Sequence, residues 1–362
     1  MLKRNLLPYI LLASLMVLSF MPSFASTESK PIVVVHYKGA LEVGVQLEAA
    51  MNNITSVDWV VVTGNLTSAN LTEASMLIMI QVDSSLNYTD EELSAVKDWF
   101  DTGGKTIWVA GDSDYGTDRF RIPNGNAVLE EIGSVLRFED CEAVDPTLNA
   151  GADYRVLGIS ENCDEEVEFL VSNVTRALFH GPGIVIGYVN GSYVKLEEER
   201  PENVYVVMTT GENGTVAEFN PPSPEIHEVG DNGTFVLMAL ELDETKKNII
   251  IATADAPFDH YTGMYMPELI KYERYAVEYP QQGARLFENI IDYMIANKIA
   301  FLQGQVTDLE GQVTTLQDQV TDLQGQVDTL KKSIGTWQGV SAGTFVIGLI
   351  IGVVVVYFMK RS

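Results

Sequence analysis

The chain has 362 residues and is strongly acidic, with 50 aspartates and glutamates against 23 lysines and arginines and a formal net charge of −27. A chain of this charge repels polyanions, which argues against nucleic acid and other anionic surfaces as partners. No nucleic-acid function is therefore expected.

The first 25 residues have the pattern of a secretory signal peptide. Lys3 and Arg4 form a short basic region, and Ser23 and Ala25 are the small residues before a cleavage site. The apolar run between them, about 15 residues, is short for a membrane span. We therefore expect cleavage after Ala25 rather than a retained anchor.

Residues 26–297 are predicted to form an extracellular α/β domain. Apolar strands alternate with helical segments, which is typical of a mostly parallel sheet covered by helices on both faces. The helix at 89–104 has Thr89 as its cap, acids in its first turn and glycines at its end. The predicted strands are residues 31–37, 57–62, 74–82, 105–110 and 248–255, the last of these closing the sheet together with a helix at 284–296.

A β-rich extension is predicted between residues 138 and 245. Pairs of strands flank Asn190-Gly191 and Asn213-Gly214, two dipeptides typical of β-hairpins, and a third pair lies at 233–252. A separate β domain is the alternative to an extension of the α/β sheet.

One stretch resembles a known superfamily. The sequence "LTEASMLIMIQ…YTDEELSAVKDWFDTGGKTIWVAGDSDYG" contains a strand, an acid-started helix, a Gly-Gly turn, a second strand and a Gly-Asp turn. It is similar to the class I glutamine amidotransferase-like superfamily, in its non-catalytic branch, and "ARLFENIIDYMI" resembles that family's last helix. The resemblance covers 31–137 and 246–297 and implies a flavodoxin-like fold. The chain also has the pattern of a signal peptide before this domain, an apolar heptad repeat at 299–337 and an uncharged run at 340–359. This layout is similar to archaeal membrane-anchored surface-layer stalk proteins.

The candidate ligand site follows from the sheet, because ligands of open α/β sheets meet the carboxyl ends of the strands. The residues at those ends are His36, Asp83, Asp112, Ser113, Asp114, Asp255 and His260.

The turn at 111–118 allows three interpretations. Active amidotransferases have a cysteine in a G-x-C-x-G turn, and here Ser113 takes that place, with a later glycine at Gly116. A serine nucleophile would need a histidine base. The available histidines are His36, His180, His227 and His260.

The second interpretation is a cation site, and the third is a structural turn. Asp112, Asp114 and Asp118 resemble part of a calcium loop, although the twelfth position is a proline, Pro123, rather than a glutamate. Ca²⁺ is the single cofactor that the sequence suggests. Alternatively, Asp and Ser after a glycine simply favour a turn.

Glycosylation and a disulfide are further expectations. Eight Asn-X-Ser/Thr sequons fall in the predicted exterior domain, where chance would give about two. The acceptor residues are Asn53, Asn65, Asn70, Asn87, Asn173, Asn190, Asn213 and Asn232. Cys141 and Cys163 are expected either to form a disulfide or to be two free thiols.

A coiled-coil stalk is predicted at residues 298–338. From Ile299 to Trp337, apolar residues recur at spacings of three and four, with valine mostly at the a position and leucine mostly at d. A helix with so narrow an apolar stripe cannot bury it alone. Association of two or three copies is therefore expected.

A transmembrane helix is predicted at residues 339–359, with a cytoplasmic tail at 360–362. Residues 340–359 carry no charge and are long enough to cross a bilayer. Lys360 and Arg361 follow directly and place the C-terminus inside. The protein is expected in the cell membrane as a single-pass protein with its head outside.

These patterns favour a non-catalytic surface protein that functions in surface-layer anchoring, assembly or ligand capture. Its expected partners are copies of itself, membrane lipid, and a surface-layer protein or carbohydrate. Five tyrosines, if exposed, would suit a protein or carbohydrate partner: Tyr261, Tyr265, Tyr272, Tyr275 and Tyr279. Alternatively, these tyrosines pack their loop against the sheet. The alternative functions are a membrane-tethered hydrolase or amidase using Ser113, and a tethered solute-binding protein of a transport system.

Overall fold

The protein is a mixed α/β structure with a large, mostly parallel sheet and a long C-terminal helix. A computed structural model describes residues 29–39, 44–258, 263–265, 281–334 and 351–353. The chain divides into two compact units, residues 1–298 and residues 299–362. The predicted signal peptide lies outside the described residues.

The described strands and helices are as follows. The strands are β1 Ile32–Lys38, β2 Asp58–Thr63, β3 Ala74–Gln81, β4 Thr106–Ala110, β5 Leu136–Glu139, β6 Glu142–Val144, β7 Arg155–Ile159, β8 Arg176–His180, β9 Ile184–Val189, β10 Ser192–Val194, β11 Val204–Thr209, β12 Gly214–Ala217, β13 Asn232–Gly233, β14 Val236–Asp243 and β15 Asn248–Thr253. The α-helices are α1 Val45–Asn53, α2 Ser68–Leu71, α3 Asp90–Phe100, α4 Ile122–Glu131 and α5 Gly283–Ile334, with 3-10 helices at Asp118–Phe120 and Glu165–Val171.

The parallel half of the main sheet has the strand order β2-β1-β3-β4-β15. Counted along the chain, these strands run 2-1-3-4-5, an order found in open, doubly wound α/β sheets. Every residue of β3 is buried, as are all those of β4 and β15. The continuous apolar runs that predicted these strands thus reflect a sheet covered on both faces.

The β-rich extension continues this same sheet. Beyond β15 the order is β14-β11-β7-β8, and all four added strands pair antiparallel with their neighbours. The prediction that β15 closes the sheet is therefore wrong, because β15 lies between β4 and β14. Two three-stranded sheets, β10-β9-β5 and β13-β12-β6, complete the extension.

The two Asn-Gly dipeptides behave differently. Asn190 and Gly191 have φ of 53° and 85°, and they join β9 to β10 in the predicted hairpin. Asn213 and Gly214 are not among the described residues with positive φ, which a type I′ turn requires at both positions. The hairpin predicted there is wrong, since β11 pairs with β14 and β7 whereas β12 pairs with β13 and β6.

Helix α3 begins as predicted at Thr89. The Thr89 hydroxyl accepts a hydrogen bond from the Glu92 amide, and the Glu92 carboxylate accepts one from the Thr89 amide. The same carboxylate forms a buried ion pair of 2.5 Å with Lys38 at the end of β1. The capping box therefore also ties α3 to the sheet.

The two cysteines, for which a disulfide and two free thiols were both open, are free. Cys141 is buried between β5 and β6, whereas Cys163 follows β7 and its thiol contacts the Asp164 carbonyl oxygen at 3.6 Å. Of the two expectations, the one of two free thiols therefore describes Cys141 and Cys163.

Helix α5 has 52 residues, or a length of about 78 Å. Nine residues at the predicted heptad positions are exposed on this helix, each with between 38 and 55% of its surface accessible to solvent. They are Ile299, Leu302, Val306, Leu309, Val313, Leu316, Val320, Leu323 and Leu330. Over the described residues, no helix is long and apolar enough to cross a bilayer. Most of the predicted span lies outside those residues.

Candidate functional site

A pocket of about 580 Å³ lies at the carboxyl end of β4. Its floor is the turn after β4, and its walls are residues of the extension that are distant in sequence. The lining residues on which the chemistry depends are Asp112, Ser113, Asp118, Glu142, His180 and Phe219. The pocket volume is in the range typical of sites for small organic ligands.

The turn after β4 can approach the sheet closely because Gly111 lacks a side chain. A Cβ at Gly111 would lie 2.6 Å from the Phe138 ring, and one at Gly125 would lie 2.8 Å from the same ring. Phe138 is buried on β5. Its ring therefore fixes the distance between the turn, α4 and the extension, and with it the position of the pocket floor.

Arg121 holds two of the aspartates on the floor. Its Nη1 donates to Asp112 Oδ2 at 3.1 Å and also to Asp118 Oδ1, while its Nη2 donates to the Val82 carbonyl oxygen at 3.0 Å. The guanidinium is buried together with both carboxylates. One positive charge thus offsets part of two negative charges, and the trio keeps a net negative charge.

The third aspartate does not join the other two. Asp114 is fully buried, and its Oδ2 accepts hydrogen bonds from the amides of Phe219 at 2.7 Å and Asn220 at 2.9 Å. The described residues contain no group of three acidic, histidine or cysteine side chains that could hold a metal ion. The predicted cation site of Asp112, Asp114 and Asp118 is therefore not formed, because Arg121 and backbone amides bind these carboxylates.

Ser113 is buried in the turn, and the described residues give it neither a histidine base nor a nucleophile elbow. Its Oγ accepts a hydrogen bond from the Tyr115 amide at 3.3 Å, and no described histidine nitrogen bonds to it. A nucleophile elbow places its serine in a strained turn directly before a helix. Ser113 is not among the described residues with positive φ, and α4 begins only at Ile122.

Glu142 on β6 is the unusual acid of the pocket. It is 3% exposed, and its carboxyl group forms no hydrogen bond or ion pair with any described residue. Burial, reinforced by the charges of Asp114, Asp112 and Asp118, raises the pKa of Glu142 to about 8. At neutral pH this side chain therefore carries a proton.

Asp255 lies behind the pocket, after the end of β15. Its Oδ2 accepts a hydrogen bond from the His180 amide at 2.7 Å, and its Oδ1 accepts one from the Ala256 amide at 2.7 Å. Burial raises the pKa of Asp255 well above its usual range. The hydrogen bond from His180 joins the end of β8 to the segment after β15 and so positions the His180 wall of the pocket.

Aromatic rings surround the pocket mouth. Tyr115 and Phe219 form an edge-to-face pair with centroids 5.2 Å apart, and the two side chains are 61% and 51% exposed. Tyr154 forms a similar pair with His180 at 5.5 Å, and the guanidinium of Arg155 lies 4.7 Å from the Tyr154 ring centroid. The mouth therefore combines exposed π faces with an acidic interior.

Several predicted site residues lie apart from this pocket. His36 is buried in β1, where its Nε2 contacts the Gly64 carbonyl oxygen at 2.8 Å. Asp83 is exposed after β3 and accepts two hydrogen bonds from Ser85. Of the five tyrosines, Tyr265 is buried in the core. His260 and the other four tyrosines lie outside the described residues.

Sequence reasoning missed the contributions of Glu142, Arg121 and Phe219. Glu142 and Phe219 belong to the extension, 30 and 107 positions after Asp112, and no local pattern links them to the turn. His180 was noted only as a possible base for Ser113. Arg119 and Arg121 are the first two basic residues after the acidic turn. This short spacing could have indicated an ion pair between Arg121 and the aspartates of the turn.

A second buried cluster lies in the extension. The His227 ring contacts Glu139 through Nδ1 and Glu197 through Nε2, the latter at 2.5 Å. Burial alone would lower the pKa of His227, but the two carboxylates outweigh it and raise the pKa to about 9. The cluster joins β5 to two loops and has a structural role.

The predicted glycosylation sites lie on the surface of the described structure. Seven of the eight sequon asparagines are exposed, and Asn70 is half-buried in α2. None of them lines the pocket.

No protein-family model matches this sequence, and no curated protein is detectably similar to it. The fold is similar to the solved structure described as "mmIFT52 N-terminal domain", with 12% identity, a TM-score of 0.47, and coverage of 72% of this chain and 96% of that chain.

Two further solved structures are similar. A putative GMP synthase component from Thermoplasma acidophilum has 12% identity, a TM-score of 0.36, and coverage of 76% of this chain and 98% of that chain. The structure of PurLQS from Thermotoga maritima has 15% identity, a TM-score of 0.37, and coverage of 73% of this chain and 99% of that chain. At such identities and TM-scores, no activity, ligand or partner follows for this chain.

Proposed function

We propose that this protein is a non-catalytic, glycosylated cell-surface protein that displays a ligand-binding head on an oligomeric stalk. The head would be of the flavodoxin-like, amidotransferase-like type, and one membrane span at 339–359 would anchor it. Its role would be ligand capture, surface-layer anchoring or assembly. The pocket beside Ser113 carries this proposal, because it is well formed although no described histidine bonds to its serine.

The stalk supports the display function. An exposed stripe of valine and leucine along α5 is stable in water when it packs against the same stripe of another helix. A second copy of this chain is the occupant that fits best, since the remaining heptad positions are polar and the stripe complements itself. Valine at a with leucine at d favours two strands.

Oligomerisation can be tested on the full chain in detergent. Leu316→Asp places a charge in the stripe and should convert the wild-type oligomer to a monomer, as measured by light scattering after size-exclusion chromatography. Thr315→Asp adds the same charge one position earlier, away from the stripe, and should leave the mass unchanged. An oligomer that persists in Leu316→Asp, or a monomeric wild type, would contradict the proposed stalk.

The two alternative functions have less support. A hydrolase would need a base for Ser113, and no described histidine nitrogen is bonded to it. A solute-binding protein would need a cleft between two lobes, whereas residues 1–298 form one compact unit. Hydrolysis of any ester or amide by the purified chain, lost in Ser113→Ala, would replace the binding function with an enzymatic one.

The partner at the surface can be approached by crosslinking in intact membranes. Crosslinks from the head to a surface-layer protein would support anchoring, and crosslinks confined to other copies of the chain would limit the function to ligand capture.

A further inference from the structure

We propose that the pocket binds a small organic cation, through an ammonium or guanidinium group placed against Glu142. This inference rests on the proposed binding function and names the chemistry of its ligand. The observation behind it is a buried carboxyl group that faces a cavity and has no partner in the described protein.

The first step concerns Glu142. Buried acids are normally paired or hydrogen-bonded, since an unpaired polar group inside a protein lowers stability. Glu142 has neither kind of partner among the described residues, although its Oε1 lies 3.6 Å from the position of a Cβ on Gly181. A ligand group that enters the pocket would supply the missing partner.

The second step concerns charge. Among the described residues that line the pocket, four are acidic and none is a lysine or arginine. The four are Asp112, Asp118, Glu142 and Asp153, of which Glu142 is protonated in the empty pocket. Asp114 lies behind the same surface, and Arg121 is the buried cation beside Asp112 and Asp118. An anionic ligand would be repelled, whereas a cation would gain from the field.

The third step excludes a metal ion. A divalent cation needs about six oxygen ligands, and the described side chains offer no suitable cluster. The aromatic pair Tyr115 and Phe219 instead provides ring faces, which attract organic cations electrostatically. A cavity of about 580 Å³ also has room for a carbon chain behind the charged group.

Binding would move a proton. With a cation beside it, Glu142 would ionise, and its proton would leave to the buffer. Near neutral pH we expect close to one proton released for each ligand bound, since the pKa of Glu142 is about 8 in the empty pocket. Asp112, Asp118 and His180 line the same pocket, and Asp114 and Asp255 lie behind it. None of these five groups is changed in a Glu142→Gln variant, so the difference in proton release between variant and wild type reports on Glu142.

The test is calorimetric titration of the full chain in detergent with agmatine, which carries a guanidinium and an ammonium group. Succinate and 1,4-butanediol are the anionic and neutral probes. We expect agmatine to bind and the other two probes not to bind. Because the released proton is taken up by the buffer, the measured heat of agmatine binding should differ between buffers with different ionisation enthalpies. Glu142→Gln should weaken binding at least tenfold and abolish this release. Asp83→Asn removes an acid from the same sheet edge but outside the pocket, and it should change neither the affinity for agmatine nor the proton release.

An arginine-containing tripeptide distinguishes the source of the cation. Binding of the tripeptide in preference to agmatine would assign the pocket to a protein side chain, and the reverse would assign it to a free amine. Either result supports the inference. If Glu142→Gln does not fold, Phe219→Leu provides the comparison, because it removes an exposed ring at the mouth and should weaken agmatine binding.

The inference is overturned if no cationic probe binds, if butanediol binds as well as agmatine, or if Glu142→Gln leaves affinity unchanged. These outcomes would leave the non-catalytic binding function standing. Hydrolysis that depends on Ser113 would instead refute that function, whatever agmatine does.

Discussion

The unpaired carboxyl of Glu142 predicts that stability falls as pH rises. Below its ordinary pKa of 4.5 the group is neutral in both the folded and the unfolded chain. Above that value the unfolded chain ionises freely, whereas the folded chain retains its proton up to about pH 8. At Glu142 the folded state binds more protons than the unfolded state in this window, so the contribution of this group to the free energy of unfolding decreases with pH.

The magnitude follows from the size of the pKa shift. Each unit of pKa difference corresponds to about 1.4 kcal/mol. Between about pH 5 and about pH 7.5, the cost of keeping Glu142 protonated should grow by about 3 kcal/mol. Glu142→Gln removes this cost, and its buried amide adds a penalty that does not depend on pH. The variant should therefore gain stability over the wild type as pH rises.

Urea denaturation of the full chain, followed by tryptophan fluorescence at several pH values, measures this difference directly. Trp59, Trp99 and Trp108 are reporters in the folded head. Asp83→Asn is the matched control, because hydrogen bonds from Ser85 lower the pKa of Asp83 and both of its states are ionised across this range. A stability difference between Glu142→Gln and wild type that stays flat with pH would refute the reasoning.

Three further outcomes are expected. Glu139→Gln should lower stability by about 3 kcal/mol because it breaks a buried ion pair, and the pKa of His227 measured by NMR should fall from about 9; an unchanged pKa would contradict the pairing. Gly111→Ala should cost about 1–3 kcal/mol through its clash with Phe138, and Phe138→Leu should restore part of it in urea denaturation; additive losses would contradict the contact. Mass spectrometry after alkylation without reductant should find both cysteines free, and a mass showing a disulfide would contradict the structure.

Local patterns were enough to predict most of the individual elements. The strands β1, β3, β4 and β15 follow from continuous apolar runs, because residues buried on both faces of a sheet must be apolar. Thr89 was identified as a cap since capping depends on residues only three positions apart. The stripe on α5 follows from the heptad, which one helix by itself displays.

Long-range pairing was not predictable in the same way. The apolar run of β15 is compatible with an edge or a central position, and only its pairing with both β4 and β14 places it in the middle. Asn213-Gly214 has the composition of a hairpin turn, but its flanking strands find better partners in two different sheets. Propensity measured over a few residues cannot weigh such competing pairings.

The order of residues alone shows that acids follow β4 and that Ser113 stands where a nucleophile would be. What those residues can do depends on contacts made in the folded protein. Arg121 neutralises part of the charge of Asp112 and Asp118, and the extension brings Glu142 into the same pocket, where it has no partner in the part of the chain that the structure describes. The physical reason is that charge, burial and the pKa of an acid depend on neighbours in space, most of which are remote along the chain.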